Sequence, residues 1–162
     1  MKVPTLETAI GAGFVLLLLN SGYISAFATP SIFYMANVLL HLVLGVALAV
    51  AFALLLEREP ELRRPLIAPS VIFAIALAAG LYLAWAGNLR EHRWVLNAHI
   101  AASVLGVTAL LPFLLRLSRM AGRPRTLSIS IWNAVLIAAV LPLVTMAYVK
   151  ANPNPSDRIV NP

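Results

Sequence analysis

The sequence predicts an all-α fold, a polytopic transmembrane bundle of five helices, on three observations. Of its 162 residues, 61% are hydrophobic and 11% are charged, whereas a soluble domain carries about 25% charged residues. Five apolar segments are each long enough for a bilayer span, which takes about 20 residues as a helix. The charges collect between those segments and at the two ends of the chain. The mean hydropathy of +0.90 agrees.

The spans are expected near 8–28, 32–56, 66–86, 94–117 and 127–149, making residues 1–150 one membrane domain. The first follows Lys2 and ends in Ala26-Phe27-Ala28, which looks like a leader cleavage site. Glu7 and the weak basic charge make a poor leader, so a retained span is expected. Asn20, Ser21 and Gly22 near its end suit a close helix interface. The short Thr29-Pro30-Ser31 link sets the second span antiparallel beside the first.

The loop from Glu57 to Pro65 mixes acids and arginines and is expected in water. Pro65 and Pro69 are expected at the start of the third span, where proline is tolerated. Gly80 is expected at a close-packing position. Arg90, Glu91, His92 and Arg93 lead into the fourth span, which carries His99 and Pro112. The loop from Arg116 to Arg125 is basic, and Pro142 is expected to kink the fifth span. The tail 151–162 is proline-rich and reads as an extended linker, with room for a further domain beyond it.

An odd number of spans puts the termini on opposite sides. Lys2, Arg58, Arg63, Arg64, Arg116, Arg119, Arg123 and Arg125 fall on the N-terminal side. Arg90, Arg93, Lys150 and Arg158 fall on the other. This bias predicts a cytoplasmic N-terminus and a periplasmic C-terminus. Tyr23, Phe33, Tyr34, Tyr82, Trp85, Trp94 and Tyr148 then form an outer aromatic belt.

Well inside the spans lie two histidines, His41 and His99. A histidine in lipid needs a partner. At 1.5 Å per residue, His41 lies about 16 Å from Pro30 and His99 about 12 Å from Glu91. Both then sit in the outer half of the bilayer, on two spans running the same way. Two such imidazoles can bind one haem iron from opposite faces. Gly45 is one turn from His41, and Ser103 and Gly106 share a face with His99. Small residues there fit a flat cofactor. Asn37 and Asn97 are each placed to orient an imidazole or bind a propionate, or simply to bond between helices. His92, Arg90 and Arg93 suit the outer interface better than a propionate. The competing reading makes both histidines hydrogen-bonded packing residues.

The chain has no cysteine, which excludes disulfides, thiolate metal sites and covalent haem attachment within it. All six acids lie outside the spans or at their edges, which argues against a proton-coupled transporter. No metalloprotease or nucleophile motif is present.

The helix with His41 and Gly45, the run Gly80-Leu81-Tyr82-Leu83-Ala84-Trp85 and the run Arg93-Trp94-Val95-Leu96-Asn97-Ala98-His99-Ile100 together resemble the N-terminal membrane domain of bacterial multihaem b/c-type cytochrome proteins. The tail Asp157-Arg158-Ile159-Val160-Asn161-Pro162 resembles the linker that follows that domain. The resemblance covers most of the chain through short motifs. It implies a b-type haem carried by His41 and His99 in the bacterial inner membrane, and electron transfer to or from periplasmic c-type haems. The chain departs from the family in having no Cys-x-x-Cys-His motif.

Two functions follow as expectations. One is a membrane electron-transfer subunit with a b-type haem, an electron carrier more than a stand-alone enzyme. The other is a non-catalytic accessory subunit of a respiratory or photosynthetic redox complex, with no haem of its own and a tail that docks a periplasmic cytochrome. Both have lipid and other subunits of a redox complex as partners, and neither involves nucleic acid. A small transporter or channel is the weakest reading.

Overall fold

The computed structural model describes residues 6–28, 31–119 and 125–152, without the side chains of 114, 115, 117–119 and 125–128. The described residues form five long helices: α1 (Leu6–Ala26), α2 (Ile32–Arg58), α3 (Arg63–Ala86), α4 (Arg93–Arg119) and α5 (Arg125–Ala151). All five are long and apolar enough to cross a membrane. Single 3-10 turns at Pro60–Leu62 and Arg90–His92 introduce α3 and α4. The tail from 153 onward lies outside the described residues.

Local chemistry sets the helix ends. Ser31 caps α2 by accepting a hydrogen bond from the Tyr34 amide at 3.1 Å. Gly87 closes α3 at φ +80°, a conformation that favours glycine, and its amide donates to Leu83 O at 2.9 Å. Helix α2 ends on Arg58, whose long stem can lie along apolar surface while the charge stays in water. Because α3 begins at Arg63, Pro65 falls in its first turn. Pro69, however, lies buried inside the helix rather than at its start.

Helix α1 packs against α2 and α5, while α3 packs against α4 and α2. The broadest interfaces are α3 with α4 and α1 with α5. Glycines seat three of these contacts. A Cβ on Gly22 would stand 2.8 Å from the Ala138 Cα, so α1 and α5 touch backbone to backbone. One on Gly13 would meet Leu48 of α2 at 2.9 Å, and one on Gly106 would meet the Phe73 ring at 2.7 Å. These pairings run α1 against α2, and α3 against α4, in opposite directions.

The buried apolar residues are few and mostly small: Ala76, Val95, Ala102 and Ala134 join Leu55, Leu66 and Ile131. Large apolar side chains point outward along α2 and α5 instead. That is the inverse of a soluble core and suits a lipid surround. Phe14 and Phe73 meet edge to face at 5.9 Å across the interior. Tyr23 and Phe33 meet at 5.5 Å, and Tyr82 and Trp85 at 6.1 Å, where α1 passes into α2 and α3 into α4.

Candidate functional site

His41 on α2 and His99 on α4 meet inside the bundle. Their ring centroids are 6.1 Å apart and their planes are inclined at 76°. Helices α2 and α4 have no broad interface of their own. The two imidazoles therefore bridge a gap between helices that are held apart by α1 and α3.

Each ring is fixed through its Nδ1. His99 Nδ1 lies 2.8 Å from Ala76 O on α3. A carbonyl can only accept, so Nδ1 carries the proton. Gly80, one turn further along α3, makes room for the ring. A Cβ there would stand 3.0 Å from His99 Cε1 and 3.2 Å from Nδ1. His41 Nδ1 lies 3.4 Å from Ser21 Oγ on α1. The Ser21 hydroxyl already donates its one proton to Leu17 O at 2.7 Å. It can only accept from His41, so this Nδ1 also carries the proton. In the neutral form of each ring the lone pair then lies on Nε2. Neither Nε2 has a hydrogen-bond partner among the described residues, and neither can donate to the other.

That arrangement has a chemical consequence. Two imidazoles so placed have the nitrogens to act as a ligand pair, with each Nδ1 bonded from behind, the arrangement common for metal-bound histidines. Two metal–nitrogen bonds of about 2 Å, with half a ring at each end, span roughly 6 Å. No cluster of three or more His, Cys, Asp or Glu exists among the described residues. A bare zinc ion would want about four protein ligands. A two-histidine site is complete when the remaining ligands arrive with the metal, as in a porphyrin. The residues present fit that group.

The other expected site residues are placed as follows. Gly45 has no atom within 4 Å of where a Cβ would be, so open space lies one turn from His41. Asn37 faces α1, where its Oδ1 accepts from Asn20 Nδ2 at 3.0 Å and its own Nδ2 donates to Phe33 O at 2.8 Å. Asn97 is exposed. Ser103 Oγ donates to His99 O at 2.7 Å, a bond within α4. Gly106 is buried and seats Phe73, which is a packing role between α3 and α4. His92 binds away from the pair, with Nδ1 3.1 Å from Gly87 O and Nε2 3.4 Å from Tyr82 Oη. The Phe14–Phe73 contact lies two helical turns from Ser21 along α1, and Gly106 lies two turns from His99 along α4. Together they close the bundle on that side of the histidines.

Three residues that set the pair are not legible as ligand-setting from the sequence: Ala76, Gly80 and Ser21. Ala76 acts through its carbonyl, which every residue has. The available signal is the small face formed by Ala76 and Gly80 at i and i+4 on α3. Comparison of the chain with known protein families, curated proteins and solved structures finds no match.

Proposed function

We propose that this chain is a membrane electron-transfer subunit that holds one b-type haem between His41 and His99. One observation carries the reading: two imidazoles 6.1 Å apart on different helices, each hydrogen-bonded through Nδ1 and with no hydrogen bond at Nε2 among the described residues. The bound haem supplies one-electron redox chemistry at a potential set by its ligands and burial.

The protein's own residues do the rest. Ala76 O and Ser21 Oγ accept from the two Nδ1–H groups, which orients the rings and makes each Nε2 more basic. Gly80 lets the His99 ring lie against α3. Gly45 leaves space beside His41 for a flat group. Phe14 and Phe73 keep the bundle interior closed beyond the pair. By the distribution of lysine and arginine, the N-terminus is cytoplasmic and the pair lies toward the periplasmic face. That position suits exchange of electrons with periplasmic c-type haems in a bacterial inner membrane, as the family resemblance implies.

The test is the reduced-minus-oxidised visible spectrum of the purified protein, beside a His41→Ala/His99→Ala double variant. A b-type band in the wild type that the double variant lacks is the expected result. A folded wild type with no haem signal overturns the proposal and returns the chain to an accessory, structural role.

A further inference from the structure

The two histidines are not held equally. His99 Nδ1 makes a short bond, 2.8 Å, to a backbone carbonyl on the neighbouring helix. Ala76, which offers that carbonyl, is 5% exposed, and Val95 and Ala102 on either side of His99 are buried. The ring also lies against Gly80. His99 therefore sits in one of the two broadest helix interfaces of the molecule.

His41 is held by a 3.4 Å contact to a hydroxyl, near the outer limit of a hydrogen bond. Its helix, α2, is the least embedded of the five. No residue in its most apolar 18-residue stretch is buried, and Leu55, its one buried residue, lies almost four turns from His41. Leu40 and Val43, flanking His41, are exposed.

We propose that the His41 side of the site is an exchangeable position, open to a small uncharged π-acceptor gas of the carbon monoxide type, while His99 stays bound. The proposal rests on the haem reading above. With a haem bound, His41 Nε2 would be the ligand given up and the gas's lone pair would take its place, with no electron or proton transferred. An apolar gas dissolves in the bilayer and reaches α2 directly, without an aqueous channel. An anionic ligand would have to enter lipid as a charge, which is costly.

The experiment uses the haem-loaded, full-length wild type, reduced with dithionite and exposed to carbon monoxide, with the Soret region recorded before and after. A carbon monoxide-dependent shift is expected. Among single variants, His41→Ala is expected to keep most of its haem, give the same carbon monoxide spectrum as the wild type, and regain a six-coordinate spectrum with added imidazole. His99→Ala is expected to keep less than about a tenth of its haem, in line with loss of the better-supported ligand. A wild type that holds haem and is inert to carbon monoxide overturns the inference and leaves the electron-transfer reading standing. So does a His41→Ala protein that loses haem while His99→Ala keeps it. A folded wild type without haem overturns the reading itself, and the inference with it. The wild-type measurement decides even where a variant fails to fold.

Discussion

Gly80 is the residue on which the position of His99 turns. An added methyl would stand 3.0 Å from Cε1 and 3.2 Å from Nδ1 of the ring. The ring must then shift by a few tenths of an ångström, against a bond to Ala76 O that is already short. Gly80→Ala is predicted to lower haem content by about tenfold, the lower range for loss of a group that orients a metal ligand. Gly80→Leu is predicted to abolish it while the protein still elutes as a folded, helical species. Unchanged haem content in Gly80→Leu would break the link between Gly80 and the site. Gly45 gives the converse case, since nothing lies within 4 Å of its Cβ position. Gly45→Ala is predicted to leave both stability and haem unchanged, whereas Gly45→Phe fills the open space and excludes the haem. His41 and His99 were legible in the sequence because ionisable residues in lipid are rare and costly. The groups that fix them were not. A backbone carbonyl has no sequence signature, and a glycine that admits an imidazole looks like one that admits Phe73. Gly106 makes the point, since its spacing from His99 suggested room for a cofactor and its space holds a phenylalanine ring.

At the scale of the helices, α1 is the hinge between two interfaces of different chemistry. Toward α5 it presents Gly22, whose missing side chain allows contact with the Ala138 backbone. Toward α2 it presents Asn20, 6% exposed, which donates to both Asn37 Oδ1 at 3.0 Å and Asn37 O at 3.3 Å. Gly22→Leu would force a side chain into backbone and is predicted to cost about 1–3 kcal/mol. Asn20→Ala removes the donor that Asn37 uses and is predicted to cost about 1 kcal/mol, since an interhelical bond in a membrane is modest. For a chain of this size, that lowers the thermal midpoint in detergent by about 2–4 °C. Haem content should not change in Asn20→Ala, because Asn37 is bound to α1 and not to the histidine pair. Loss of haem there would show that Asn37 serves the site after all. The sequence revealed where the spans lie, because hydropathy and length are local properties. It did not reveal that α1 pairs with α5, because that choice depends on small residues meeting across 116 positions of chain. Pro69 was misplaced for a related reason. The solvated loop before it seemed to end later than it does, and α3 starts early enough to enclose it.

For the molecule as a whole, the proposed electron-transfer role makes the sidedness of the site decisive, since it sets which partners are within reach. The histidines lie nearer the end where α1 passes into α2 and α3 into α4. That end carries Tyr23, Phe33, Tyr82 and Trp85. The opposite end carries Arg58, Arg63 and Arg64 between α2 and α3. Each arginine near a span end biases its loop toward the cytoplasm. The aromatic end, and with it the histidine pair, is therefore predicted to face the periplasm. Because the chain has no cysteine, single cysteines report sidedness without a background. Asn88→Cys lies in the exposed link between α3 and α4, and Glu59→Cys in the exposed link between α2 and α3. In intact spheroplasts, a membrane-impermeant maleimide should label Asn88→Cys at once and Glu59→Cys only after the membrane is permeabilised. The reverse pattern would place the histidine pair on the cytoplasmic side. An electron path to periplasmic haems would then have to cross most of the bilayer, and a cytoplasmic donor or acceptor would become the partner to seek.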